Sequence, residues 1–439
     1  MMKESRYNVR VERDDATYVF NGVSGALLRV AKTDYDAVRR YLAGGQGSCS
    51  PEVVAHLAEG LMVIPDNADE LAFLERRYAA GRRDLSRFAL TIVTSLGCNF
   101  DCPYCFEEKH PSILDEEVQR LVLQVLDDQL TRIRSFSVTW YGGEPLIGKK
   151  ALLALSDAFI DRCNAAEVAY SAQIITNGYL LDEQTCVQLR DRQVKQAQIT
   201  LDGPPETHNQ MRPLANGKET FWTIIKNLHH AVKYLQISIR VNLDMQNFAS
   251  VEPLFQILAD EGLSCRLSIY PGHIVGVNTG AKSPSTTYRR RCFTNLGFAR
   301  AELQFRELAT KYGFPRSSLP TPTGAPCTAV RANELVVGSK GELYKCWESV
   351  GNQLETIGHI RDYQNPNGRL QKWLKYNPFA DVDGRSCIAL PVCMGGCAQH
   401  AMDPLQYENR CGTFRHTYHE QVLAFVEAAE SSAAIENAL

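Results

Sequence analysis

Three cysteines stand close together at Cys98, Cys102 and Cys105, in the string SLGCNFDCPYCFEE, with the spacing C-x3-C-x2-C. Grouped thiols of this kind ligate metals more often than they form disulfides in a reducing compartment. The same spacing would place all three on one face of a helix. Gly97, Asn99, Asp101 and Pro103 lie within or beside the set, however, and these residue types make loops. A loop that wraps three thiolates around a metal is therefore expected. The number three is informative, because structural zinc sites close with a fourth ligand, whereas a [4Fe–4S] cluster on three cysteines leaves one iron open to a small molecule. A second set follows at Cys327, Cys346, Cys387, Cys393, Cys397 and Cys411. Cys327 and Cys346 frame VVGSKGELYKCW, which reads as a hairpin presenting Cys346, and the others run C-x5-C-x3-C before a more distant Cys411. Spacing alone leaves zinc and iron–sulfur both open for this set. Cys49, Cys163, Cys186 and Cys265 are scattered and read as small buried hydrophobes, while Cys292 fits either fate.

The elements that must position these groups are β/α units. From Phe88 onward, β-branched runs (FALTIV, FSVTWY, AQIIT, AQITL, ISIRVNL, CRLSIY) alternate with amphipathic stretches such as EEVQRLVLQVLDDQL and TFWTIIKNLHHAVKYL. Strands separated by helices imply a parallel sheet, since parallel neighbours need crossovers. Six units fall short of the eight in a closed barrel, so the fold class expected is α/β, a partial (β/α)6 barrel. Sites in such folds follow the strand ends. The second run ends in WYGGEPL, where Gly142 and Gly143 offer backbone N–H groups for close approach, Glu144 offers a carboxylate for an ammonium, and Pro145 follows. The third ends in Thr176 and Asn177, where a plain Asn-Gly turn is the alternative. Asp202, His208 and Arg212 follow the fourth, and Arg240 and Asn242 share one face of the fifth. No side chain stands out as a general base; Glu107, Glu108 and Asp202 are the rim candidates.

The flanks differ from this core. Residues 1–85 read as a small α+β module with strands at 6–12 and 17–23, short helices and a linking helix rich in Glu and Arg. Residues 86–290 carry the barrel, and 291–439 form a Cys-, Gly- and Pro-rich segment whose order is expected to come from metal ligands. In all, 439 residues with 47 Lys plus Arg against 50 Asp plus Glu give a net charge of −3, which provides no basic footprint for nucleic acid. No apolar run is long enough for a membrane span and the N-terminus is not a signal peptide, so a cytoplasmic location is expected.

CNFDCPYC after the first strand of a six-unit β/α domain resembles the signature of the radical S-adenosylmethionine (radical SAM) superfamily, with Tyr104 as the aromatic before the last cysteine. The resemblance implies that Cys98, Cys102 and Cys105 hold a [4Fe–4S] cluster whose open iron is chelated by SAM. Reductive cleavage then gives a 5′-deoxyadenosyl radical that abstracts hydrogen from substrate. Gly142, Gly143, Glu144 and Pro145 match the family's GGEP motif, which holds the SAM ammonium. Thr176, Asn177, Asp202, Arg212 and Asn242 become candidate SAM contacts. The second cysteine set resembles the SPASM extension, which carries two auxiliary [4Fe–4S] clusters. That scheme implies Cys327, Cys346 and Cys397, with Cys292 as a candidate fourth ligand, for one cluster, and Cys387, Cys393 and Cys411 for the other. The pattern usually has a further cysteine where this chain has Gly384, so Asp381 and Asp383 become candidate substitutes, with a water or a cluster of lower nuclearity as the alternative. Chains of this build resemble maturases of ribosomally made peptides, whose N-terminal winged-helix module pairs a strand with the precursor's leader, and the strands at 6–12 and 17–23 are the candidates for that edge. The expected outcome is a C–C, C–S or C–O cross-link, with electrons from a reductase, flavodoxin or ferredoxin. An anaerobic sulfatase-maturing enzyme that makes formylglycine, and a zinc-binding peptide scaffold, are the alternatives.

Overall fold

The computed structural model describes residues 1–45, 48–275, 284–288, 291–316 and 318–436. Six strands run parallel in chain order: β6 (Arg87–Ser95), β7 (Ser135–Gly142), β8 (Ala169–Thr176), β9 (Val194–Thr200), β10 (Gln236–Leu243) and β11 (Ser268–His273). Their residues alternate in the way a two-sided strand requires. Phe136, Val138 and Trp140 of β7 are buried under the helices, while Ser137, Thr139 and Tyr141 take the opposite face. The crossover helices start at aspartate caps: Asp115 accepts from Val118 N and Asp182 from Thr185 N. Helix Glu116–Asp127 turns Val118, Leu121, Val122 and Val125 inward at helical spacing. Phe88, Phe136, Phe159 and Trp140 pack ring on ring beneath the sheet. This is the expected parallel-rich α/β architecture.

Before the barrel come β1 (Met2–Glu4), β2 (Asn8–Arg13), β3 (Ala16–Asn21), β4 (Leu27–Ala31) and β5 (Val63–Pro65). β2, β3 and β4 form an antiparallel sheet in that order, and β1 pairs with β5. The order corrects one expectation: the strand expected at 17–23 is central, bonded on both sides, so it cannot be a capturing edge. β2 packs against the C-terminal helix Phe414–Glu436, where Val9, Val11, Phe20, Phe414, Val422 and Val426 share a core.

The C-terminal segment is less separate than its composition suggested. β12 (Glu334–Val337) adds to the barrel sheet parallel to β6, followed by β13 (Glu342–Tyr344) and β14 (Gly358–His359), which makes nine strands in one sheet. Trp373, Leu390, Met394 and Ala398 belong to the same apolar core as the barrel. Its order therefore rests on strand pairing and shared burial, and not on metal ligands alone. Among the described residues, no helix is long and apolar enough to cross a membrane.

Candidate active site

The loop after β6 carries Cys98, Cys102 and Cys105, and the GGE string at the end of β7 clamps it. Gly143 N donates to Ser95 O (3.0 Å) and Glu144 N to Gly97 O (3.0 Å). A Cβ on Gly143 would stand 2.7 Å from Gly97 O, and one on Gly142 only 2.2 Å from Ser95 O. The two glycines thus allow close approach of the cysteine loop, and the N–H groups of Gly143 and Glu144 are not free for a ligand. Glu144 is fully buried, and it too is held by its own chain: Leu146 N (3.0 Å) and Thr176 Oγ1 (2.8 Å) donate to Oε1, and Asn177 N (2.8 Å) donates to Oε2. A carboxylate accepts about four hydrogen bonds, so one position on Oε2 remains for an ammonium. Burial raises its pKa and these three bonds pull it back. Pro145 opens the turn that Glu144 caps. Asn177 completes the ring, its Nδ2 donating to Asn99 Oδ1 (2.7 Å) and lying 4.0 Å from Cys98 Sγ.

A second buried hub joins β9 and β10 to the same loop. The Tyr104 hydroxyl donates to Asp202 and receives Arg212 Nη1 (2.6 Å) and Asn242 Nδ2 (3.2 Å). Asp202 Oδ1 accepts Asn242 N (2.8 Å), and Arg212 stands 3.9 Å from Asp202. Arg212 keeps its Nε buried without a partner and lies over the Phe100 ring at 5.5 Å. His208 is buried under helix Phe221–Ala231, accepting Asp202 N on Nδ1 at 3.3 Å, and burial followed by Arg212 drives its pKa well below 6.5. It is a neutral support for Asp202 and not a rim group. Tyr104, Asp202, Arg212 and Asn242 are therefore brought together, and Thr176, Asn177 and Glu144 form a neighbouring group on the opposite flank of the loop.

Sequence reasoning placed Glu107 on the rim. It is buried, hydrogen-bonded to Tyr141, with its pKa raised by burial. Tyr141 and Asn99 were missed; the alternation of Tyr141 with Thr139 on β7 was the available signal for the first. Tyr141 in turn meets the Trp347 ring at 5.4 Å, next to Cys346.

The second cysteine set divides into two groups. Cys327 is exposed and Cys346 half-buried as whole residues, but desolvation around each sulfur raises both thiols, with the neighbouring Cys397 adding to both. Burial pushes Cys393 up to about 12, with Cys387 and Cys411 adding. Cys387, Cys393 and Cys411 line one cavity together with Asp381, Gly384, Arg410 and Arg415. Asp383 is exposed. Cys292 is half-buried, with its Sγ 3.8 Å from Tyr288 O. Of the four scattered cysteines, Cys163 and Cys186 are buried as expected and Cys49 is half-buried, but Cys265 is exposed in the turn before β11, where no core reaches it.

The donor chemistry suits clusters. Burial pushes Cys98 up to about 11 and Cys105 up to about 12, so these thiols hold their protons until a cation replaces them. Among the described residues, no three Cys, His, Asp or Glu side chains converge on one point as a single ion requires.

Three thiols in a loop after the first of six parallel strands, flanked by buried polar groups from the next four strand ends, are the groups on which a likeness to radical SAM enzymes rests. Residues 92–258 match the radical SAM superfamily. The chain is 26% identical to Fe-coproporphyrin III synthase of Methanosarcina barkeri over 186 residues, 42% of this chain but only 43% of that protein. It is 22% identical to the serine-type anaerobic sulfatase-maturating enzyme of Klebsiella pneumoniae over 69% of this chain and 79% of that one. The fold matches native anSMEcpe with bound AdoMet and Cp18Cys peptide (TM-score 0.58, 18% identity, 78% of this chain and 99% of that chain). It also matches Streptococcus suis SuiB bound to precursor peptide SuiA (TM-score 0.53, 12% identity, 94% and 99%).

Proposed function

We propose that this chain is a maturase of ribosomally made peptides that abstracts hydrogen from a precursor and installs a C–C, C–S or C–O cross-link. The observation that carries this reading is the N-terminal antiparallel sheet with β4 as an open edge, joined to a barrel with three thiol groups. In this reading residues 1–85 are a winged-helix-like leader-binding module, 86–290 the radical SAM barrel, and 291–439 a SPASM domain. Strand addition at β4 would hold a leader through its backbone while tolerating sequence variation. The likeness to SuiB supports the reading because it extends over 94% of the chain.

Cys98, Cys102 and Cys105 would hold the SAM-binding cluster, which with SAM supplies the hydrogen-abstracting radical. Glu144, Thr176 and Asn177 would orient the methionyl end of SAM, and Tyr104, Asp202, Arg212 and Asn242 its remaining polar groups. Burial of these groups excludes water from the reacting centre. Cys327, Cys346 and Cys397, and separately Cys387, Cys393 and Cys411, would hold two auxiliary clusters, with electrons supplied by a flavodoxin, ferredoxin or reductase. The test is anaerobic reconstitution with SAM, reductant and the short peptides encoded beside the gene. Formation of 5′-deoxyadenosine and a product about 2 Da lighter per cross-link is expected. Failure to form 5′-deoxyadenosine refutes the proposal.

The second reading, formylglycine formation on a sulfatase, is favoured by the Klebsiella match over 79% of that protein's length. Turnover of a sulfatase-motif peptide with no reaction on the neighbouring peptides would establish it. A colourless protein holding zinc without sulfide would refute both and leave a peptide-binding scaffold.

A further inference from the structure

We infer that Asp381 is the fourth ligand of the centre built on Cys387, Cys393 and Cys411. This inference rests on the cluster-binding reading above. The three thiols face one cavity, and Asp381 lines it with them. The position where a fourth thiol is expected is Gly384, which also lines the cavity. An ideal Cβ on Gly384 would lie in ordinary van der Waals contact with Asp381 Oδ2, at 3.4 Å, so the carboxylate stands directly beside the point from which a thiol at 384 would reach the cavity. Asp383, the alternative on sequence grounds, is exposed and does not line the cavity.

The carboxylate is held in place by its neighbours. Oδ2 accepts the Tyr407 hydroxyl (2.8 Å) and Arg410 Nη2 (3.1 Å), and Oδ1 accepts Asp383 N (3.1 Å) as the N-cap of helix Val382–Ser386. Of about four acceptor positions on a carboxylate these take three, both on Oδ2 and one on Oδ1, which leaves one on Oδ1 for iron. Arg410 is buried against Asp381 at the cavity wall, and Arg415 Nη1 lies 3.1 Å from Cys411 Sγ. The two guanidiniums offset the negative charge that three thiolates and one carboxylate bring together. Tyr407 and Arg410 therefore act as positioning residues, fixing a harder oxygen donor beside three sulfur donors. An iron with an oxygen ligand is the one expected to leave first on mild oxidation.

The test uses the full chain, reconstituted anaerobically, in three variants. Asp381→Asn keeps an acceptor for the N-cap while removing the anionic donor, Asp381→Cys restores a thiolate, and Asp383→Asn is the control. Iron and sulfide content and the electron paramagnetic resonance spectrum after mild oxidation are the readouts. Asp381→Asn is expected to lose about one iron of the roughly twelve in three four-iron clusters and to show a three-iron signal. Asp381→Cys and Asp383→Asn are expected to keep the full iron content. Full iron and an unchanged spectrum in Asp381→Asn, or iron loss in Asp383→Asn, would overturn the assignment while leaving the functional reading intact. A parent protein without iron and sulfide would overturn both.

Discussion

Replacing Gly142 by alanine puts a methyl group at a point 2.2 Å from Ser95 O, on a backbone with φ of +135°. Two costs add. A φ in this region is nearly closed to residues with a Cβ and costs about 1–3 kcal/mol. Forcing a carbon against a buried carbonyl costs about another 1–3 kcal/mol through backbone shifts. Gly142→Ala should therefore destabilise the chain by about 2–6 kcal/mol. Gly217 provides the control, because it also has a positive φ (+79°) but nothing lies within 4 Å of its Cβ position. Gly217→Ala should cost only the backbone term, about 1–2 kcal/mol. The assay is urea unfolding under anaerobic conditions, compared by midpoint at equal m. Because Gly143 N and Glu144 N anchor the carbonyls of Ser95 and Gly97, the displaced strand end should also loosen the cysteine loop. Gly142→Ala should then bind less iron at the first cluster while Gly217→Ala binds the full amount. Equal midpoints for the two variants, or full iron in both, would refute the view that the glycine pair exists to seat this loop.

Tyr104→Phe removes a hydroxyl shared by Asp202, Arg212 and Asn242, leaving a buried carboxylate one donor short. A loss of about 1–3 kcal/mol in unfolding free energy is expected, with weaker SAM binding by calorimetry. Arg82→Ala removes donors to Val330 O (3.1 Å), Tyr376 O (2.9 Å) and Trp373 O (3.2 Å), which tie the linking helix to the C-terminal segment. It should cost about 3 kcal/mol and speed proteolysis between residues 330 and 376. His208 is buried and neutral in the fold, with its pKa below 6.5, so the unfolded chain binds a proton that the folded one does not. Stability should therefore fall as pH drops below about 6.5, by at most about 1.4 kcal/mol per pH unit from this residue. His208→Gln should flatten that acid limb in urea titrations at pH 7, 6 and 5.

The parts of this molecule legible in the sequence are those whose physics is local. The β/α alternation sets both the strand order β6 to β11 and the face each residue takes. Gly97, Asn99, Asp101 and Pro103 mark the cysteine set as a loop before any contact is known. Asp202, Arg212 and Asn242 were reachable because each follows or lies in a strand that ends on the same rim. The role of Gly142 and Gly143 was misread for a definite reason: a Gly-Gly pair signals close approach but not what approaches, and here it is the chain's own Ser95 and Gly97 carbonyls. His208 and Glu107 were misplaced because burial depends on helix packing, which spacing does not reveal.

What the sequence concealed is contact at long range. β12 pairs with β6 across more than two hundred residues of chain, Val336 opposite Thr91 and Val337 opposite Ile92, and four residues of ELVV carry no mark of their partner. That pairing changes how the cysteine centres relate. The hairpin of β12 and β13 that presents Cys346 is an extension of the barrel sheet. Tyr141 from the barrel meets Trp347 from the hairpin, and Val93, Leu96, Val336 and Tyr344 close around them. A cut at residue 290 would consequently expose the β6 edge and strip apolar surface from both sides, so neither half is expected to keep its cysteine groups in register alone. Composition had suggested a segment ordered by its metals. The shared sheet and core instead order the segment through strand pairing and burial, so any cluster bound there would meet thiols that the fold already holds.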